Sequence, residues 1–420
     1  MITSFSVENF RSIRDLQVLD LEAKPLQAAY PGLAQNVARV GERYEVLKAK
    51  VIYGANASGK SNLLMALSFF NFAVTLSWNP ESIVLPLVEP FAWDPETNKA
   101  PSLFELCLLS AATPYRYGFT VSPEGEIVSE WLFGTPGKKE VPYFLRDENG
   151  IEVSGTHLKS VRKLLAAFDD ESKFVSRKSL LLSVLGHFKN DEIKPVYEPV
   201  ARMRIINGAL ATELDDKTVR QLLDEEQGPK IRELLARADI ELGALRAVAG
   251  EYSPGLPSND RVTLLGDVIK DRQLNLYVLP KLLPADNRLG FPIEAHLSKG
   301  TIKLILLAGS IIKTLEGGDC LIIDEFEAQM HTKLSQAIVR MFNSAESNPN
   351  NAQLIVATHD TNLLSPLLMR RDQITFVDKG KDGASSVYAL SDVRGVRDGT
   401  AYEKEYLSGK YGGIPTVNEL

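Results

Sequence analysis

Apolar and polar residues alternate through the opening stretch "MITSFSVENFRSIRDLQVLDL", the period-two pattern of a half-buried strand. "FELCLL" and "YRYGFTV" also have strand composition, and "SPEGE" between "YRYGFTV" and "IVSEWLF" has the composition of a hairpin turn. One strongly apolar helix, "SNLLMALSFFNFAV", interrupts them, so residues 1–155 are expected to be β-rich around a single helix. From about 156 to 285 the apolar spacing changes to three and four. "SVRKLLAAFD", "KTVRQLLDEE" and "GPKIRELLARADIEL" predict a mostly helical insertion, broken by Pro- and Gly-rich pieces such as "YSPGLPSND". From 286 onward, continuous apolar runs ("DCLIID", "QLIVATHD", "ITFVDKG") alternate with helical patterns, as in a sheet covered on both faces. The expected fold class is α/β: a core formed by residues 1–155 and 286–420, split in sequence by the insertion 156–285. Neither an internal repeat nor a low-complexity tract is evident.

Composition narrows this picture. The chain has 420 residues, 44% hydrophobic and 24% charged, which suits a soluble globular protein with two sizeable cores. No run approaches the roughly 18 consecutive apolar residues of a membrane span, and the N-terminus lacks the basic start and long apolar stretch of a signal peptide. Cys107 and Cys320 both sit in apolar runs and are expected to be small buried hydrophobes in a reducing compartment. A cytoplasmic location without a membrane partner follows as the expectation. The net charge of −7 argues against a constitutive nonspecific DNA binder, although "RMRII" (Arg202 to Ile206) and "MRRD" (Met369 to Asp372) are candidate basic patches.

Chemistry concentrates in four motifs. Gly54-Ala-Asn-Ala-Ser-Gly59-Lys60-Ser61 matches G-x-x-x-x-G-K-[ST] in full, between the strand "KAKVIYG" and a helix, where a phosphate-binding loop belongs. Its backbone N–H groups and the helix N-terminus suit phosphates. Gly54, Asn56, Ser58, Gly59, Lys60, Ser61 and Asn62 are the candidate nucleotide contacts. Lys60 would reach the β- and γ-phosphates, and Ser61 would ligate Mg²⁺. In "CLIIDEFEAQMH" an apolar strand ends in Asp324-Glu325. Asp324 is the second candidate metal contact, and Glu325 the group that orients or deprotonates water. "QLIVATHD" again ends a buried strand in polar residues, and His359 could there sense a γ-phosphate. Three such strands place their ends at one edge of one sheet. Finally, "HLSKGTIKLILLAGSII" opens a helix on Ser298 and Gly300, which equally suits an ordinary N-cap serine.

Taken in order, these motifs resemble the ABC-type ATPases: phosphate loop, LS-x-G helix, Asp-Glu strand, strand-end histidine. Gly300 stands 24 positions before Asp324, and Asp324 stands 35 before His359, spacings that agree with that family. "FSVENFRSIRD", "LSKGT", "DEFEAQMH" and "VATHDTNLL" look like the AAA-type ATPases of bacterial phage-defence systems. These are related to the overcoming-lysogenization-defect ATPases and to structural-maintenance-of-chromosomes heads. "EYLSGKYGGIP" (Glu405 to Pro415) is similar to the ending of a branch found beside separate effector genes, of which AriA of the PARIS system and RloA-like abortive-infection ATPases are examples. The resemblance covers about 1–155 and 285–415. It implies catalytic roles for Lys60, Glu325 and His359, and Ser298 and Gly300 contacting ATP held by the opposite subunit. It also implies Arg11 near the nucleotide, ATP and Mg²⁺ as cofactors, and ATP-driven homodimers or higher oligomers. A separate effector, such as a Toprim-type nuclease, and a phage-encoded trigger are the implied partners. This sequence departs from the branch in reading Leu-Ser where Glu-Ser is usual, and in Met330-His331-Thr332 where the pattern is Leu-His-Pro. A Q-loop glutamine is not evident either. These departures bear on hydrolysis rate more than on ATP binding.

Other functions fit less well. An intrinsic nuclease would need a carboxylate cluster. The acids of the insertion, Asp169, Asp170, Glu171, Asp215 and Asp216, lie in helical or loop patterns, and only about 60 residues follow His359. Ser298 stands 237 positions after Ser61, a far longer separation than a transporter ATPase usually has. A pure scaffold would not need Glu325 and His359. A DNA-repair or DNA-binding ATPase remains the alternative, with DNA an open partner, although neither long heptads nor a strongly basic face is evident.

Overall fold

The alternating N-terminal segment forms two antiparallel strands, Ile2–Glu8 and Gln17–Asp20, at one side of a seven-stranded antiparallel sheet. The order continues from Ile2–Glu8 through Ser102–Ser110, Thr113–Val121, Ile127–Gly134 and Val141–Asp147 to Gly150–Val153. "SPEGE" is the hairpin turn expected of it, closed by Gly125 N–H donating to the Ser122 carbonyl. The computed structural model describes residues 1–26, 30–79, 81–168, 174–208, 216–238, 240, 244–249, 274–279, 291–292, 297–396 and 400–414.

A second sheet has six strands in the order Arg204–Asn207, Cys320–Asp324, Gln353–Ala357, Ala49–Tyr53, Ile374–Lys379, Ser385–Ala389. The first five run parallel, and the last returns as an antiparallel hairpin. Ala49–Tyr53, Cys320–Asp324 and Gln353–Ala357 are buried at every position, which is why they read as near-continuous apolar runs, interrupted only by the buried Lys50, Asp324 and Gln353. The helix Lys60–Leu76 lies between the sheets. Phe69 and Phe70 pack with Phe5, Phe10, Phe104 and Phe119 of the antiparallel layer, and Leu63 and Leu67 share that core with Ile52, Ile322 and Ile355 of the parallel sheet. A helix apolar on nearly every side is one buried from both sides. Truncating Phe69 or Phe70 to alanine would cost about 3–5 kcal/mol. The other face of the parallel sheet is covered by the helices Lys299–Gly317 and Thr332–Asn343.

Residues 156–285 carry the helices Lys159–Leu165, Leu181–His187, Lys194–Ala201, Asp216–Leu223 and Gln227–Arg237, and strands as well. Arg204–Asn207 pairs with the Asp-Glu strand, Asn207 opposite Asp324. Ala244–Ala249 pairs with Leu274–Leu279, which also pairs with Phe291–Pro292. The "RMRII" patch is therefore not a basic face. Arg202 and Arg204 both bridge to the buried Asp319, at 2.9 and 3.0 Å, and clamp the edge strand to its neighbour. "MRRD" is likewise internal, since the buried Arg370 pairs with Asp372 at 2.7 Å and donates to the Lys24 carbonyl at 2.9 Å. Cys320 is buried and Cys107 half-buried. Asp169, Asp170, Glu171, Asp215, "YSPGLPSND" and Pro415 lie outside the described residues. Among the described residues no helix is long and apolar enough to cross a membrane.

Candidate nucleotide site

The central strand Ala49–Tyr53 delivers the phosphate loop, and Gly59 caps the following helix in a left-handed conformation, φ 113°. Any side chain there would be strained and would also meet the hydroxyls of Ser385 and Ser12. Gly54 and Ser58 are buried, Asn56 is exposed at the loop's tip, and Ser61 and Asn62 are half-buried on the first turn. Lys60 is buried and folds back onto its own loop, donating to the carbonyls of Gly54 at 2.9 Å and Ala55 at 3.1 Å. Burial holds its ammonium below the ordinary lysine value, an effect opposed by Glu325, Asp324 and Glu327. The buried Ser58 Oγ has no hydrogen-bond partner among the described residues, a state it shares with buried hydroxyls elsewhere in the chain such as Ser68 and Ser183.

Two strands away, Asp324 is 3% exposed and its carboxyl is pushed up by burial. The Ser61 hydroxyl, the Glu325 N–H and Lys60 oppose that shift without cancelling it. Ser61 thus lies close enough to Asp324 to draw its carboxyl down, and this is the pair expected to hold Mg²⁺. Among the described residues no group of three or more His, Cys, Asp or Glu forms a cage. One carboxylate and one hydroxyl beside phosphates fit a cation that binds through few protein ligands.

Glu325 sits in the left-handed region at φ 51°. For a residue with a side chain that conformation costs about 1–3 kcal/mol and needs support. Lys303, fully buried in the helix Lys299–Gly317, supplies it by donating to the carbonyls of Glu325 at 2.9 Å and Ala328 at 2.7 Å. Burial pushes the Lys303 ammonium down to about 8, against the raising effect of Glu327 and Glu325. Gly208, just past the edge strand, adds an N–H to the Asp324 carbonyl at 2.7 Å. Glu327 then joins the carboxylate strand to the histidine strand. One oxygen accepts from the Thr358 hydroxyl at 2.6 Å, the other from the His359 N–H at 2.7 Å. The His359 side chain is exposed at the strand end.

Ser298 is the N-cap of its helix, accepting from Thr301 N–H at 3.1 Å, and it is exposed. Gly300 lies against the loop after Glu325, where an added Cβ would come 2.4 Å from the Gln329 carbonyl oxygen. Gly300 therefore packs on its own chain's carboxylate loop, whereas Ser298 faces outward. Arg11 is held by Glu89 at 2.7 Å and contacts Met65, one turn into the phosphate-loop helix. Its neighbour Ser12 comes closer to the loop, accepting from Asn62 Nδ2 at 2.7 Å. Ser385 donates to the Ser58 carbonyl at 2.6 Å and touches Ser12 Oγ at 2.8 Å. Tyr53 donates to the Asp360 carbonyl at 2.9 Å, Tyr406 stacks on Phe376, and Gly413 approaches Gly54.

A family model described as "AAA domain, putative AbiEii toxin, Type IV TA system" matches residues 51–365. The chain belongs to that family. It is thus an AAA-type ATPase domain, and the matched span runs from the phosphate-loop strand past the strand-end histidine. Among curated proteins, no sequence matches this chain. Solved structures with some likeness include an SMC head bound to the C-winged helix domain of ScpA, at 17% identity over 92% of this chain and 97% of that one, TM-score 0.43. Others are the SMC head domain from Thermotoga maritima (12%, 92% and 98%, 0.42) and an SMC head with a coiled coil and joint from Pyrococcus yayanosii (12%, 98% and 99%, 0.43).

Within this AAA domain, sequence reasoning missed Lys303, Glu327, Ser12, Ser385 and Gly208. Lys303 carried a signal, as a cation on an otherwise apolar helix face. Glu327 stood in view beside Asp324-Glu325 but has no motif of its own. The serines and Gly208 carry no signal without the fold that brings them in.

Proposed function

We propose that this AAA domain is an ATP-binding and hydrolysing switch of a bacterial anti-phage, abortive-infection system, which dimerises around ATP and controls a separate effector, a nuclease of Toprim type or similar. The observation that carries the ATPase reading is that three neighbouring parallel strands end at one edge of the sheet in the loop bearing Lys60 and Ser61, in Asp324-Glu325, and in His359, with Lys60 and Ser61 close enough to Asp324 to oppose the rise of its pKa. Lys60 leaves its carbonyl partners to bind the β- and γ-phosphates, and Ser58 Oγ and the loop N–H groups complete the cradle. Ser61 and Asp324 hold Mg²⁺, which would neutralise phosphate charge when bound. Glu325, fixed through Lys303, orients and deprotonates the attacking water. Glu327 sets the His359 backbone so that its ring can face the γ-phosphate.

The exposed Ser298 at a helix N-terminus supports a second copy closing over the site, its cap hydroxyl and N–H groups facing phosphate. The toxin–antitoxin wording of the family description supports an output delivered through a partner. A closed dimer can signal only as far as ATP prefers it, so the partner must bind one state better than the other. Mass measurement in solution tests the reading. Glu325→Gln should bind ATP, lose hydrolysis by about 10²–10³-fold, and shift from monomer-sized to dimer-sized species with ATP and Mg²⁺. Unchanged mass with bound ATP sinks the sandwich.

A further inference from the structure

We propose that Trp93 is the platform on which the purine of the bound nucleotide stacks, an inference that rests on the phosphate-loop reading above. Direction comes from strand order. Asp324 lies on one side of the central strand, across Gln353–Ala357, and the terminal phosphate faces that side. The nucleoside must leave toward the other side, where Ile374–Lys379 turns into Ser385–Ala389. Ser385 seals that flank of the loop through its hydrogen bond to the Ser58 carbonyl. The turn just before it is tight, with Gly380 N–H donating to Ala384 O at 2.8 Å and Gly383 N–H to Gly380 O at 3.0 Å.

Trp93 lies on this turn. A Cβ added to Gly383 would be 3.3 Å from the fused-ring atom Cδ2, so the indole rests against the bare glycine. The Lys379 ammonium is 5.6 Å from the ring centre. The side chain is nonetheless 75% exposed, more than any other large hydrophobic residue described. Its backbone is pinned from the N-terminal segment: the buried Phe91 donates N–H to Asn9 Oδ1 at 3.0 Å, and Asn9 Nδ2 donates to the Thr97 and Ala100 carbonyls. Arg14 lies over Phe91 and pairs with Asp382 of the turn at 2.8 Å. A rigidly mounted indole, open to water and one hairpin from the phosphate loop, is suited to stack a base, and every base offers it a π-face.

Titration of ATP and of inorganic tripolyphosphate into wild type, Trp93→Ala and Trp93→Phe separates the base from the phosphates. Trp93→Ala should bind ATP about ten- to a hundredfold more weakly and tripolyphosphate as wild type does, with Trp93→Phe keeping most ATP affinity. ATP should quench the intrinsic emission of wild type, and this quenching should vanish in Trp93→Phe. Equal ATP affinity in Trp93→Ala and wild type overturns the platform while leaving the phosphate site intact. So does the same loss for ATP and tripolyphosphate, or quenching that survives in Trp93→Phe. Failure of wild type to bind either probe overturns the phosphate site and the platform with it.

Discussion

On the phosphate-loop side, the candidate site is built from eight consecutive residues, Gly54 to Ser61. On the carboxylate side it and its supports are gathered from five places: Gly208, Lys303, Asp324-Glu325, Glu327 and the Thr358-His359 pair. The first side is set by local geometry, a left-handed Gly59 and a helix start. The second depends on side chains reaching across strands, with Glu325 held in a costly conformation by the buried Lys303. Binding should therefore be hard to disturb from a distance, and hydrolysis easy.

The largest break should come at the local side. Lys60→Ala should weaken ATP by roughly a hundredfold or more, since a buried charge-assisted contact is lost, as calorimetry would read directly. Next is Glu327→Ala, which removes the acceptor for both Thr358 and the His359 N–H. Turnover should fall about tenfold or more, and stability by about 1.5–3 kcal/mol, while ATP affinity stays near wild type. Equal losses of affinity and turnover would erase the distinction between the two sides.

The smallest effect sharpens it. The Lys303 ammonium is pushed down to about 8 by burial, against an ordinary amine value of about 10.4. Below about pH 8 both folded and unfolded chains keep the proton, so this group gives no slope. Between roughly 8 and 10 the unfolded chain holds a proton that the folded one has released, so stability attributable to Lys303 rises with pH. Lys303→Met lacks that rise. The stability gap between wild type and variant, from urea unfolding, should widen over this window; a constant gap would mean that the ammonium is not desolvated.

The same division governs what could be read from sequence. The phosphate loop is contiguous, so its eight residues announced both chemistry and position. The buried strands announced themselves by near-continuous apolar runs. Arg204–Asn207 did not, because Arg202 and Arg204 beside Asp319 give it the composition of a basic surface. Lys303 and Glu327 act through partners 22 to 32 positions away in sequence, a relation no local pattern encodes. Ser298 is an example of one residue satisfying two readings, since a helix cap and a phosphate donor site ask for the same chemistry.

The central strand has a consequence for how the molecule is made. Its neighbours on both sides, Gln353–Ala357 and Ile374–Lys379, are encoded some 300 residues later. A ribosome finishes the phosphate-loop motif early, yet the sheet that fixes it cannot close until most of the chain has emerged. Long-range parallel pairing of this kind is slow, so the nascent protein carries its most recognisable motif for most of synthesis before that motif can hold a nucleotide.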